Sequence, residues 1–284
     1  MTGHLRYVAR TGTVGHIDFR EQGVYGSRLL RQASAASGVH SIILGQLNQL
    51  PFTQAQLDIT HKALPLSSIE ELTAVLDVAD GFSEGTMNDL MDAAWAQIAH
   101  LTERQNKLRA IHVLENEGYR STSQAITVRG DLTRALDLPK PHLLIHATVA
   151  NADEIAMMSE HRCNVALNPR ANANLGLPHP PIASLMQSNV NLLMGTDNGL
   201  LNSPNMFAEL DYTYKLAKSQ FGDARLPTPL DILKMATSDI GKLLGAETPG
   251  YLAEGLPADI LASVRQGKVL WQTEDAARQP WALA

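Results

Sequence analysis

Four side chains in three short stretches could do chemistry together. "LRAIHVLENEG" carries His112 and Glu115 three residues apart, "HLLIHAT" carries His146, and "MGTDN" carries Asp197. Two imidazoles and two carboxylates at one site can bind a divalent ion such as Zn, Fe or Mn and move protons around its water. The His112-x-x-Glu115 spacing suits that chemistry: a ligand inside a strand can sit below a carboxylate on the terminal turn, and one Glu can take a proton from water and return it to a leaving group. Each residue alone also has a bland reading. Asp197 can start a turn or cap the following helix, and His112 can be a core histidine satisfied by backbone. Together with His146 in register they read as a site or the remnant of one.

Such residues need strand ends to hold them. The apolar runs are short, mostly unalternating and bounded by turn residues, as expected of parallel strands buried on both faces. Strands are expected at Thr13 to Phe19, Val39 to Gly45, about Val78 to Phe82, Leu108 to Leu114, His142 to Thr148, Asn164 to Asn168 and Asn191 to Thr196. Helical spacing falls between them, at about Gly26 to Ser37, Asp89 to Arg104, Leu132 to Leu136, Ala152 to His161, Pro181 to Ser188 and Asn205 to Ser219. Asn48 to Leu66 reads as an irregular loop, followed by a short helix with Ser68 as cap and Glu71 at the capping-box position. "TPLDILKMATSDIGKLLG" reads as one amphipathic stretch, with Thr228 and Pro229 at its start.

This pattern predicts an α/β chain: an incomplete TIM-type (β/α) barrel of about seven parallel strands over residues 1–250. The tail, 251–284, holds two short strands, "LPADILASV" and "GKVLWQ", joined by Arg265 and Gln266. A closed barrel of this type has eight strands, so the first strand is expected to be missing, with "MTGHLRYVAR" as the end of its helix. His112, Glu115, His146 and Asp197 then share the C-terminal rim, where such barrels place their chemistry.

The totals narrow the partners. The chain has 284 residues and a net charge of −6 without a basic stripe, so nucleic acid is not an expected partner. The single Cys163 forms no internal disulfide, and no apolar segment near the start resembles a signal peptide or a membrane span. A cytoplasmic protein with a small-molecule substrate is expected.

The order "HVLE", "LIHAT", "NPRANANLG" and "GTDNGLLNSP" resembles the amidohydrolase superfamily, in particular its cytosine-deaminase-like and chlorohydrolase-like metal-dependent hydrolases. "IDFREQGVYG" and "DILKMATSDIGKLLG" followed by "EGLPADILASV" extend the resemblance over nearly the whole chain. It implies His112, His146 and Asp197 around a divalent metal, Glu115 as proton shuttle, His146 also orienting or polarising near the metal-bound water, Asp197 also as an acceptor of that water's proton, and a C–N bond other than a peptide bond as target, in a deaminase or a cyclic amidase.

One departure from the family stands out: the His-x-His pair of its first strand occurs nowhere in this sequence. His16 and Asp18 in "GHIDFRE" share a strand face and are the only surrogates, with a core polar pair as the alternative. Only the C-terminal part of the family's small β-sandwich is expected. Asn168, Arg170 and Asn172 could meet substrate from a loop, or simply bond within it, and Arg20 with Glu21 forms either a substrate clamp or an internal ion pair. Three readings follow: an active hydrolase, a catalytically impaired remnant acting as a binding subunit, or part of a longer hydrolase cut by the choice of start. A barrel with a gap exposes strand edges, so a homo-oligomer or hetero-assembly completing it is expected.

Overall fold

The apolar runs form one parallel sheet in which chain order and spatial order coincide. In the computed structural model, which describes residues 1–53, 62–245, 250, 262–265 and 268–272, its strands are β1 (Gly15–Arg20), β2 (His40–Gly45), β3 (Gly81–Glu84), β4 (Leu108–Val113), β5 (Leu143–His146), β6 (Asn164–Leu167) and β7 (Asn191–Met194). Every neighbouring pair is parallel. The sheet curls into an incomplete TIM-type barrel whose edge strands are β1 and β7.

The register explains why the runs lack alternation. Leu44, Ala110, Leu143, Ile145 and Leu193 point inward and cluster with Ile17 and Phe19. Ile111, Val113, Leu144, Val165 and Leu167 point the other way, into the core shared with the helices. Away from the half-buried edge strand β1 both faces are largely covered, so both are largely apolar.

Twelve helices surround the sheet among the described residues. They are α1 (Thr2–Arg10), α2 (Gly23–Ser37), α3 (Leu66–Leu76), α4 (Asp92–Arg104), α5 (Glu117–Thr127), α6 (Asp131–Asp137), α7 (Ala152–Glu160), α8 (Pro169–Asn174), α9 (Ile182–Met186), α10 (Met206–Phe221), α11 (Pro229–Met235) and α12 (Ile240–Leu244). Leu5 and Val8 of α1 are buried in a cluster with Leu30 and Ala33 of α2. Among the described residues no helix is long and apolar enough to cross a membrane.

Four expectations are corrected. Ser68 does not cap α3, which starts behind the extended Pro65, and the Glu71 carboxylate accepts from the backbone N–H of Asn48 at 2.8 Å instead of closing a capping box. The amphipathic stretch after α10 is two helices. Thr228 and Asp231 form a capping box at the start of α11. The chain then breaks at "ATSD", where Thr237 Oγ1 donates back to the Leu233 carbonyl at 2.9 Å, a local bond that competes with helix continuation. The break lets Ile240 and Leu243 of α12 reach the inner cluster while Ile232 and Met235 of α11 stay in the outer core. "NPRANAN" is the helix α8, not a loop. Finally, Ala262–Arg265 and Lys268–Gln272 form the antiparallel strands β8 and β9, with Arg265 paired to Lys268 within the ladder; Gln266 lies outside the described residues.

Candidate active site

Three strand ends deliver the chemistry, each with a residue in the left-handed region. On β4, His112 is inward by register, and Leu114 (φ 52°) turns the chain so that Glu115 follows on the rim. The turn is held by the Leu114 backbone N–H donating to Asp131 at 2.7 Å. On β5, alternation would send His146 outward with Leu144. Its φ of 77° coincides with a ring that instead lies 5.0 Å, centroid to centroid, from the His112 ring. Asp197 (φ 57°) follows β7 in an exposed loop and accepts from the backbone N–H of Asn198 at 2.7 Å.

Hydrogen bonds orient both imidazoles. His112 Nδ1 lies 3.1 Å from the Glu84 carbonyl oxygen, which can only accept, so Nδ1 carries the proton and Nε2 keeps its lone pair. The ring packs edge-on against Phe19 at 5.4 Å. His146 is buried, with Nδ1 3.2 Å from Asn172 Oδ1 and Nε2 3.9 Å from Glu115 Oε2. Burial pulls its pKa down to about 4, helped by His112 and opposed by Glu115 and Asp197. His146 is therefore a neutral base at pH 7, and His112, Glu115 and Asp197 each act on it.

Their donor chemistry suits a divalent ion at two points, the free Nε2 of His112 and of His146, since a metal-bound imidazole usually has its other nitrogen fixed by a protein oxygen. Among the described residues, however, no three His, Cys, Asp or Glu side chains stand close enough together to hold one. Asp197 lies in its loop rather than against the imidazoles' free nitrogens.

The remaining predicted residues sit elsewhere. His16 and Asp18 share a face, but it is the helix face: His16 bonds Ser41 at 2.7 Å, and Phe19, of opposite parity, is the β1 residue that meets His112. They do not reach the rim as surrogate ligands. Arg20 pairs with Asp18 at 3.5 Å on that same face, not with Glu21. Arg170 turns to the buried Glu209 of α10, with Nη1 3.5 Å from Oε2. Asn168 is buried, its amide nitrogen 3.1 Å from the carbonyls of both Leu167 and Gly195. Asn172 contacts His146.

Other residues at the rim had weaker signals. Glu84 is buried and its carboxyl is pushed up to about 7 by desolvation. Tyr119 has its phenol pKa raised by burial and by the Glu115 carboxylate beside it. A Glu ending the apolar run "GFSE" was the available clue to the first; nothing marked the second.

Comparison with known proteins agrees with this architecture. The model of the amidohydrolase family matches residues 9–268. A protein of Methanothermobacter thermautotrophicus provisionally assigned as an aminohydrolase is 33% identical over 263 residues, which cover 92% of this chain and 64% of the relative. The 5-methylthioadenosine/S-adenosylhomocysteine deaminase of Teredinibacter turnerae is 29% identical over 217 residues, 74% of this chain and 48% of that enzyme. This chain thus spans about half to two thirds of these relatives' lengths. The crystal structure of an adenosine deaminase from Xanthomonas campestris with bound zinc superposes with a TM-score of 0.72 at 20% identity, over 86% of this chain and 56% of that one. A barrel of βα units, with His-x-x-Glu, His and Asp at or just after the ends of the fourth, fifth and seventh strands, and a family match over most of its length lead to one assignment: the chain belongs to the amidohydrolase family.

Proposed function

We propose that this chain is a hydrolase of a C–N bond other than a peptide bond, of the deaminase type, acting on a small ring-borne amine. The observation that carries the reading is the juxtaposition of a buried neutral imidazole with a carboxylate, His146 Nε2 and Glu115 Oε2 at 3.9 Å, beside the lone-pair nitrogen of His112. Glu115 takes a proton from the attacking water as its oxygen bonds to the ring carbon, and delivers that proton to the departing nitrogen, which leaves as ammonia. His146 accepts a hydrogen bond from the substrate or the water and orients it. The free nitrogens of His112 and His146 would offer a divalent ion two donors, with no third His, Cys, Asp or Glu close enough to complete the group among the described residues; such an ion, when bound, would lower the pKa of the water and polarise the ring. The named activity of the Teredinibacter relative supports the substrate class.

A second reading is a binding subunit derived from such an enzyme. It is favoured by the lack of a three-donor group among the described residues and by the two sheet edges left unpaired. Assaying amino-purines, amino-pyrimidines and cyclic amides, with and without added Zn, Fe or Mn, separates the two. Turnover that Glu115→Gln abolishes supports the hydrolase; no turnover on any substrate with any ion overturns it.

A further inference from the structure

Behind His146 runs a chain of buried polar groups from β5 to α8. Asn172 Oδ1 lies 3.2 Å from His146 Nδ1, and Asn172 Nδ2 lies 2.6 Å from Thr148 Oγ1. All three residues are buried, with relative exposures of 1% for His146, 0% for Asn172 and 2% for Thr148. No side-chain atom of the three is left without a partner among the described residues apart from the Nε2 side of His146, which faces Glu115.

An amide has a donor end and an acceptor end, and which end it offers decides the tautomer of the imidazole it meets. If the NH2 goes to Thr148, the carbonyl oxygen must face His146, and the proton must sit on Nδ1. Nε2 is then an acceptor. If the amide were turned over, Nε2 would carry the proton and point a donor at Glu115. Burial makes this choice lasting, because no water competes for either end of the amide.

We propose that Asn172, itself anchored by Thr148, is the positioning residue that locks His146 in the Nδ1–H tautomer, so that its Nε2 lone pair faces the rim beside Glu115. The inference rests on the functional reading only for its consequence; the tautomer is a property of the chain whether or not it turns over substrate. His112 obtains the same tautomer from a backbone carbonyl, so the two imidazoles present matching acceptors by different means. The backbone version cannot be mutated away, whereas the side-chain version can.

The test is nitrogen-detected NMR of the full chain with 15N-histidine at pH 7, with signals assigned by His146→Gln and His112→Gln. The wild type should show His146 protonated on Nδ1 alone. Thr148→Val, which removes the anchor at nearly constant volume, and Asn172→Leu, which removes the acceptor, should each lose that pattern in favour of a mixed or Nε2–H signal, while His112 keeps its Nδ1–H signature. Asn172→Asp, which restores an acceptor at the same place, should recover it. A merely structural role would disturb His112 as well and would not be rescued by Asp. An Nε2–H signal for His146 in the wild type, or an unchanged tautomer in both Thr148→Val and Asn172→Leu, overturns the proposal. A confirmed tautomer in a chain without turnover would leave this inference standing and defeat the hydrolase reading instead.

Discussion

Glu209 and Arg170 meet twice. The Arg170 backbone N–H donates to Glu209 Oε1 at 3.0 Å, and its guanidinium Nη1 lies 3.5 Å from Oε2. Burial nevertheless pushes the Glu209 carboxyl up to about 7, against the pull of Arg170. The folded chain thus keeps a proton that the unfolded chain releases near the ordinary carboxyl value of 4.5. Stability contributed by this group is full below that value and falls as pH rises to about 7. Glu209→Gln should flatten this part of the stability-versus-pH curve, though not remove it, since the Glu84 carboxyl, also pushed up to about 7, contributes with the same sign. Above about pH 7, where the Glu209 carboxyl is ionised, Arg170→Ala should cost about 1–3 kcal/mol by leaving the carboxylate short of a charged partner. Urea denaturation of both variants from pH 4.5 to 8 checks both; an identical slope in the wild type and Glu209→Gln would sink the argument.

His146 should act with the opposite sign. Its pKa is lowered from 6.5 to about 4, chiefly by burial, so the unfolded chain takes up a proton at a pH where the folded chain does not. The stability it contributes is present above 6.5 and lost as pH falls toward 4. His146→Gln should therefore lose less stability than the wild type across that interval, as measured by calorimetry at matched ionic strength. A steeper loss in the variant would contradict the buried neutral imidazole.

Gly195 is fixed by what lies beside it. A Cβ there would fall 2.3 Å from the Asn168 side-chain amide. Gly195→Ala should destabilise the chain by about 1–3 kcal/mol, the usual cost of overpacking. Combining it with Asn168→Ala should restore less than additive loss, because the two substitutions share one cause. Additive losses in the double-mutant cycle would mean that the two residues do not clash.

Metal uptake should be weak and depend on both imidazoles. After desalting, the chain is expected to hold zinc below stoichiometry, to gain it with excess ion, and to lose it to chelator without a change in circular dichroism. His112→Ala and His146→Ala should each abolish the uptake. Binding that neither substitution alters would place the ion elsewhere.

Among the described residues the outer edges of β1 and β7 carry no strand partner, and self-association is the expected consequence. Sedimentation velocity at micromolar concentration should show a dimer or larger species, and hydrogen exchange should protect β1 and β7 amides more at high protein concentration. A stable, well-folded monomer at the same concentration would count against the prediction.

The strands were legible because burial on both faces strips most of them of polar residues, and the approach of His112 and Glu115 to His146 was legible because strand ends confine such side chains to a few positions. What the sequence hid has physical reasons. Period-2 alternation puts His16 and Asp18 on one face but does not say which, and Phe19 took the inward one. Helix α5 was missed because "GYRSTSQAIT" is rich in Gly, Ser and Thr, weak helix formers held here by Asn116 accepting from the Tyr119 backbone N–H at 3.1 Å. Arg170 looked like a free loop cation because its partner Glu209 lies 39 positions away. The contact of His146 with Asn172 spans 26 positions and leaves no local pattern to find.

The left-handed residues at the strand ends have a consequence for how this chain can change. Leu114, His146 and Asp197 hold backbone angles that L-residues adopt at a cost of order 1 kcal/mol or more, and each is at or next to a predicted active residue. Substituting glycine at Asp197 relieves that cost and removes a side chain that carries little packing, so the variant should gain stability while losing whatever the carboxylate does. Selection for thermal robustness alone would therefore act on Asp197 before the other two, because Leu114 and His146 are buried and glycine in their place would leave a cavity.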